Sequence, residues 1–160
     1  MKQRVFPFEA KSTRYLLPGD FWAIPLRGGS FACGRVIQLH ERDDGSLDSR
    51  LFLAGLLDWV GDTPPTLTAI AGCPTLIQGQ AHVRTIQTSG GVILGHRPLA
   101  DDSIEPALLL SHAAGPGVML QRGFTTLRPA SEEERTRLPV FPTFGFSFMS
   151  KYAESHLLAA

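Results

Sequence analysis

Apolar residues crowd the segment Pro18–Ile37, PGDFWAIPLRGGSFACGRVI, more densely than any other part of the chain's first third. Pro18, Gly19 and Asp20 predict a turn, Phe21 to Leu26 a β-strand, Gly28 and Gly29 a reversal, and Phe31 to Leu39 the returning strand of a hairpin. Pro25 removes a ladder donor and marks an edge or a bulge. Asp44-Gly45 within RDDGS predicts a second reversal, with a third strand after it. Leu51 to Val60 is continuously apolar, so periodicity does not separate strand from helix; strand is favoured for its first half, and Asp62 to Pro65 ends it.

Further along, Leu76 to Thr88 alternates in its second half, with Ala81, Val83 and Ile86 interrupted by His82, Arg84 and Gln87, as in a strand with one wet face. Ser89 to Gly91 is a turn before the short run Val92 to Leu94, and Val118 to Leu127 is a last strand broken by Gly123. Helices are expected late. Ser131 with three following glutamates, then Arg135 and Arg137, has an N-cap and a charge order that suit one, stopped by Pro139. Ser150 to Leu158 is a second, turning Tyr152, Leu157 and Ala153 to the body, and the aromatic stretch before it must pack. In the lead-in, Phe6, Phe8 and Tyr15 either add a strand or cover the core.

The fold class predicted is β-rich α+β, a partly barrel-like (SH3-like) antiparallel sheet with one or two C-terminal helices. Residues 1–160 are expected to form one domain: a lead-in over 1–17, a β-rich core over 18–128 and a helical segment over 129–160. Hydrophobic content of 43% against 19% charged removes the chain from the disordered class and predicts a single core. Between Leu51 and Ala100 the only charged residues are Asp58, Asp62, Arg84 and Arg97, which places much of that core in the middle third. Fifteen basic and fifteen acidic residues cancel, so no overall field steers the protein to nucleic acid or an anionic membrane. Cys33 and Cys73 read as reduced, buried thiols, and no run is long enough to span a membrane, so a cytoplasmic location is expected.

Chemistry is sparse. The histidines at 40, 82, 96, 112 and 156 form no metal-ligand spacing, and each reads as a surface or hydrogen-bonded residue. Gly90 to His96 lacks both the P-loop and the dinucleotide pattern and reads as a hairpin, and Gly115-Pro116-Gly117 reads as a loop. No nucleophile motif, catalytic residue, metal site or cofactor motif emerges, and Asp43-Asp44 and Asp101-Asp102 read as solvated turns. Trp22, Phe21 and Arg35 offer a nucleobase-stacking platform, against which stands the reading that they are core and rim of the hairpin.

The residues Gly19-Asp20-Phe21-Trp22-Ala23-Ile24-Pro25-Leu26, Gly29 and Gly34-Arg35-Val36-Ile37 together resemble the immunity protein 26 family of bacterial polymorphic-toxin systems. Leu56-Leu57-Asp58-Trp59 and Gly91 to Gly95 with Pro98-Leu99 extend the resemblance over residues 15 to 100 or more. It implies a small cytoplasmic protein that neutralises a cognate protein toxin by binding it, without catalysis. Toxins that act on anionic substrates present basic sites, which makes Asp43, Asp44, Asp48, Asp101, Asp102 and Glu105 the candidate partner-binding residues. The alternatives are a small SH3-like nucleic-acid-binding domain, and after it a hydrolase using His82 or His96. Sequence leaves the oligomeric state open.

Overall fold

The computed structural model describes residues 4–112 and 117–158. In chain order its strands are β1 (Phe8–Glu9), β2 (Asp20–Pro25), β3 (Phe31–Glu41), β4 (Leu47–Gly61), β5 (Thr75–His82), β6 (Val92–Ile93), β7 (Gly95–His96), β8 (Leu108–Ser111), β9 (Met119–Arg122) and β10 (Thr125–Pro129). The α-helices are α1 (Arg84–Thr88), α2 (Glu132–Arg137) and α3 (Phe148–Leu157). Five strands form the main antiparallel sheet in the order β5-β4-β3-β2-β7; β10-β9-β8 form a second sheet, and β1 pairs with β6. The fold is β-rich α+β as expected, and its sheets do not close into a barrel.

The opening hairpin forms where glycine allows it. Gly28 and Gly29 take φ of 80° and 89°, and Leu26 N–H donates to Ser30 O at 2.8 Å. Register sets Trp22 opposite Gly34, where a Cβ would enter the indole ring. Pro25 ends β2, beyond the reach of β7, which pairs only with Asp20 and Phe21. The RDDGS turn joins β3 to β4, with Gly45 at φ 85°. β4 is strand throughout Leu51 to Val60, since Phe52, Ala54 and Leu56 face one side of the sheet while Leu53 and Leu57 face the other. Burial on both faces produces the unbroken apolar run.

Those two faces split the expected single core in two. One cluster holds Trp22, Ile24, Val36, Phe52 and Leu56 under α1 and α3, and the other Phe21, Cys33, Ile37, Leu53, Leu57, Ile70 and Ile104. Phe6 and Phe8 pack on the first, Phe8 also pairing through β1, while Tyr15 stays exposed. Cys33 and Cys73 are free thiols on the second cluster. Burial pushes the Cys33 thiol well above its ordinary range, against the opposing pull of Arg35. In native protein at neutral pH, Cys33 is therefore expected to resist iodoacetamide, with labelling by mass appearing only after denaturation.

Three expectations change. The wet-faced strand over Ala81 to Gln87 stops at His82, and α1 follows, because Val83 turns helical (φ −55°, ψ −25°) and the His82 Nδ1 accepts from the Arg84 N–H at 3.0 Å. Val83 and Ile86 lie three apart and bury together on a helical turn. Gly90 to His96 is no hairpin: β6 and β7 join different sheets. Val118 to Leu127 is not one broken strand, since Gly123 at φ 58° reverses it into the β9–β10 hairpin.

The C-terminal helices form as the sequence predicts. In α2 the Ser131 Oγ accepts from the Glu134 N–H, and the Glu134 carboxylate accepts from the Ser131 N–H. Arg128 grips the same carboxylate, which with the Ser131 bonds brings Glu134 down to about 2. In α3, Met149 and Ala153 are buried, with Tyr152 and Leu157 beside them. Among the described residues no helix is long and apolar enough to cross a membrane.

Candidate functional site

A charged residue inside a strand buried on both faces must find its counter-charge within the protein. Arg35, at 0% exposure in mid-β3, does so with Asp102: Nη1 lies 3.2 Å from Oδ2, both side chains fully buried. Its Nη2 donates to the Arg97 carbonyl. Asp102 also accepts from Arg97 Nε at 2.9 Å and from the Gly72 N–H at 2.7 Å. Burial alone would raise its carboxyl, but the Gly72 N–H and the two guanidinium groups outweigh it and hold it below its ordinary value. The cluster fixes the 3₁₀ turn Leu99–Asp102, which Ser103 closes at φ 55°, against the sheet.

A second cluster centres on Asp20, also fully buried at the start of β2. Arg4 grips it through two 2.7 Å bonds, the Leu17 N–H donates at 3.0 Å, and His96 Nδ1 lies 2.9 Å from Oδ1. Gly19, at φ 106°, leaves the space His96 occupies, since a Cβ would press on the imidazole and the Arg97 carbonyl. His96 borders a cavity of about 650 Å³, walled mainly by Phe6, Phe21, Pro64, Leu67 and Leu94. The His–Asp pair has the arrangement of an acid–base dyad, but Arg4 occupies the carboxylate through two hydrogen bonds, and the hydroxyl residues in the cavity lining are Thr63 and Thr66. The cluster ties the N-terminal segment to the sheet. His82, the other acid–base candidate, accepts from the Arg84 N–H and meets Phe146 edge-on.

The candidate partner residues fall into two places. Asp43 and Asp44 are exposed at the β3–β4 hairpin tip, where Ser46 hydrogen bonds hold the Asp44 carboxyl below its usual value. Asp48 is turned inward: Oδ1 accepts from the Arg50 and Leu51 N–H groups at 2.8 and 2.9 Å, and Oδ2 lies 3.5 Å from His40. Asp101 and Glu105 are exposed, Glu105 lying 3.5 Å from Arg122. The solvated-turn reading of Asp101-Asp102 therefore holds for Asp101 and fails for Asp102, whose carboxylate is spent inside. From Arg35, which holds Asp102, to Glu41 at the hairpin base, six residues of β3 span about 20 Å, so the acids form two patches.

The stacking platform is also corrected. Trp22 and Arg35 are both fully buried, Trp22 edge-on to Phe52 with centroids 6.0 Å apart and its Nε1 donating to Ser89 Oγ at 3.2 Å. Neither presents a face to a base. Of the loop Gly115-Pro116-Gly117, the first two residues lie outside the described residues. What sequence reading missed is the internal pairing of Arg35 with Asp102 and of Asp20 with Arg4, although a charge beside an apolar run was in each case the signal for it.

The family model described as Immunity protein 26 matches residues 17–114, which takes in β2 to β8, the Arg35–Asp102 cluster, and Asp20 and His96 of the second cluster. No curated protein and no solved structure matches the chain. With more than half its length matched, this chain belongs to the immunity protein 26 family.

Proposed function

We propose that this protein is a non-enzymatic inhibitor, a one-domain bacterial cytoplasmic protein that binds a cognate protein toxin and neutralises it. The observation that carries the reading is the family match over residues 17–114. The disposition of charge supports it: the buried ions are paired inside the protein, while Asp43, Asp44, Asp101 and Glu105 remain at the surface for a basic partner. A stable inhibitory interface takes roughly 20–30 residues a side, more than these four acids supply, so neighbouring surface contributes.

Co-expression with the toxin encoded beside it is expected to restore growth, and affinity capture to recover the pair. Charge reversal at the surface, Asp43→Lys or Asp101→Lys with Glu105→Lys, is expected to weaken capture about tenfold or more through at least one patch while the protein stays folded. Failure of both rescue and capture overturns the inhibitor reading. Undiminished capture in both charge-reversed variants overturns the acidic-surface assignment alone.

A further inference from the structure

We propose that the surface around the Asp20 cluster is an interface between two copies of this chain, in which Tyr15 of each copy enters the cavity beside His96 of the other. This goes beyond toxin inhibition and does not rest on it. Four large apolar side chains stand exposed around that cluster: Val5 at 77%, Tyr15 at 65%, Leu67 at 50% and Leu17 at 47%. Apolar surface gathered in one place marks an interaction site, whereas single scattered residues do not. Hydrogen bonds bring these together. Arg4 donates to the Tyr15 carbonyl at 3.2 Å and to Asp20, and Asp20 in turn accepts from the Leu17 N–H and meets His96. Val5 leads into Phe6, which walls the cavity with Leu67.

The receiving side is the cavity of about 650 Å³, whose walls Phe6 and Leu94 are half-buried and whose wall Leu67 is open to solvent. A space of that size admits an aromatic side chain. His96, its side chain 30% exposed, supplies the polar group. Arg4 donates to both Asp20 oxygens, so the carboxylate is an acceptor toward His96 as well. That assigns the proton to Nδ1, and the neutral ring keeps Nε2 as an acceptor with no partner among the described residues. The entering side is Tyr15, which does not line its own chain's cavity and whose hydroxyl has no partner among the described residues. A tyrosine from a second copy brings the ring and the donor that the cavity lacks.

Charge selects a second copy as the occupant. Arg14 stacks on Tyr15, its guanidinium 5.4 Å from the ring centroid, and makes no ion pair among the described residues. Asp62, exposed and directly before the lining residue Thr63, makes none either. Arg4 and Arg97 are already engaged by Asp20 and Asp102. The tyrosine side therefore carries an unpaired cation and the cavity side an unpaired anion. A surface with both halves of a complementary set side by side suits a two-fold contact, in which each copy gives and receives the same groups. A partner of one charge sign would be opposed by one of the two.

Sedimentation equilibrium across micromolar concentrations tests this, with the wild-type chain expected to dimerise. Tyr15→Ala removes the entering ring, and Leu67→Glu sets a carboxylate at the cavity. Both side chains are exposed, so each variant should keep the wild-type Tm while the dimer weakens about thirtyfold or more. Mixing the two variants separates this packing from general stickiness. The mixed pair keeps one intact contact, Tyr15 of the Leu67→Glu chain in the cavity of the Tyr15→Ala chain, so it should associate more tightly than either variant with itself. A wild-type chain that stays monomeric, a dimer that neither variant weakens, or a mixture no tighter than its parts overturns the proposal. In the first case, loss of toxin capture in Leu67→Glu would assign this surface to the toxin instead.

Discussion

Replacing Asp102 with alanine is expected to destabilise the protein by about 3–5 kcal/mol, lowering the Tm by on the order of 10 °C, the largest loss of any single charged residue. The substitution leaves the Arg35 guanidinium buried without a counter-charge and the Gly72 N–H without an acceptor. Adding Arg35→Met should recover part of the loss, because no uncompensated charge then remains in the strand. Thermal unfolding of the single and double variants measures both effects. The sign with pH also follows. The folded carboxyl sits below its unfolded value, so its contribution is fully present above about pH 4 and fades as pH falls through the folded value. Asp102→Asn should therefore flatten the acid limb of the stability curve.

The second large effect is expected at Trp22. Trp22→Ala should cost about 3–5 kcal/mol, from lost burial plus the cavity left behind. The indole lies over Gly34, meets Phe52 edge-on and bonds Ser89 at the end of α1, so its loss loosens the sheet and the helix together. Denaturant unfolding should show a lower midpoint, with Trp22→Phe intermediate. Had Trp22 been an exposed stacking group, alanine would spare stability and weaken nucleic-acid binding; its burial predicts the reverse.

Local chemistry made much of this fold legible. Gly28-Gly29, Asp44-Gly45 and the Ser131–Glu134 capping box each specify their own geometry, and each appears where the sequence predicts. Tertiary partners decided the rest. His82 and Arg84 interrupt an apolar pattern in a strand or a short helix alike, and only packing on the sheet selects α1. Glycine at 123 breaks a strand in either reading, but the pairing of β9 with β10 is what turns the break into a hairpin.

The candidate site was less legible for a related reason. Asp101 and Asp102 are neighbours of identical type, yet one is solvated and the other lies under Arg35, 67 residues away in sequence. Asp43 and Asp44 could be placed at a turn tip because the turn is local. Which surface meets a partner is a property of two molecules, and the family resemblance carried by the Pro18–Ile37 hairpin points to a partner without marking the contact.

The central claim is inhibition by binding without turnover. Titrating the activity of the adjacent-encoded toxin with increasing amounts of this protein tests it most directly. The account predicts a linear fall to zero at one equivalent, with no recovery of activity or covalent change in the toxin. Silencing of many equivalents of toxin by one equivalent of this protein, or no loss of activity at all, would contradict it.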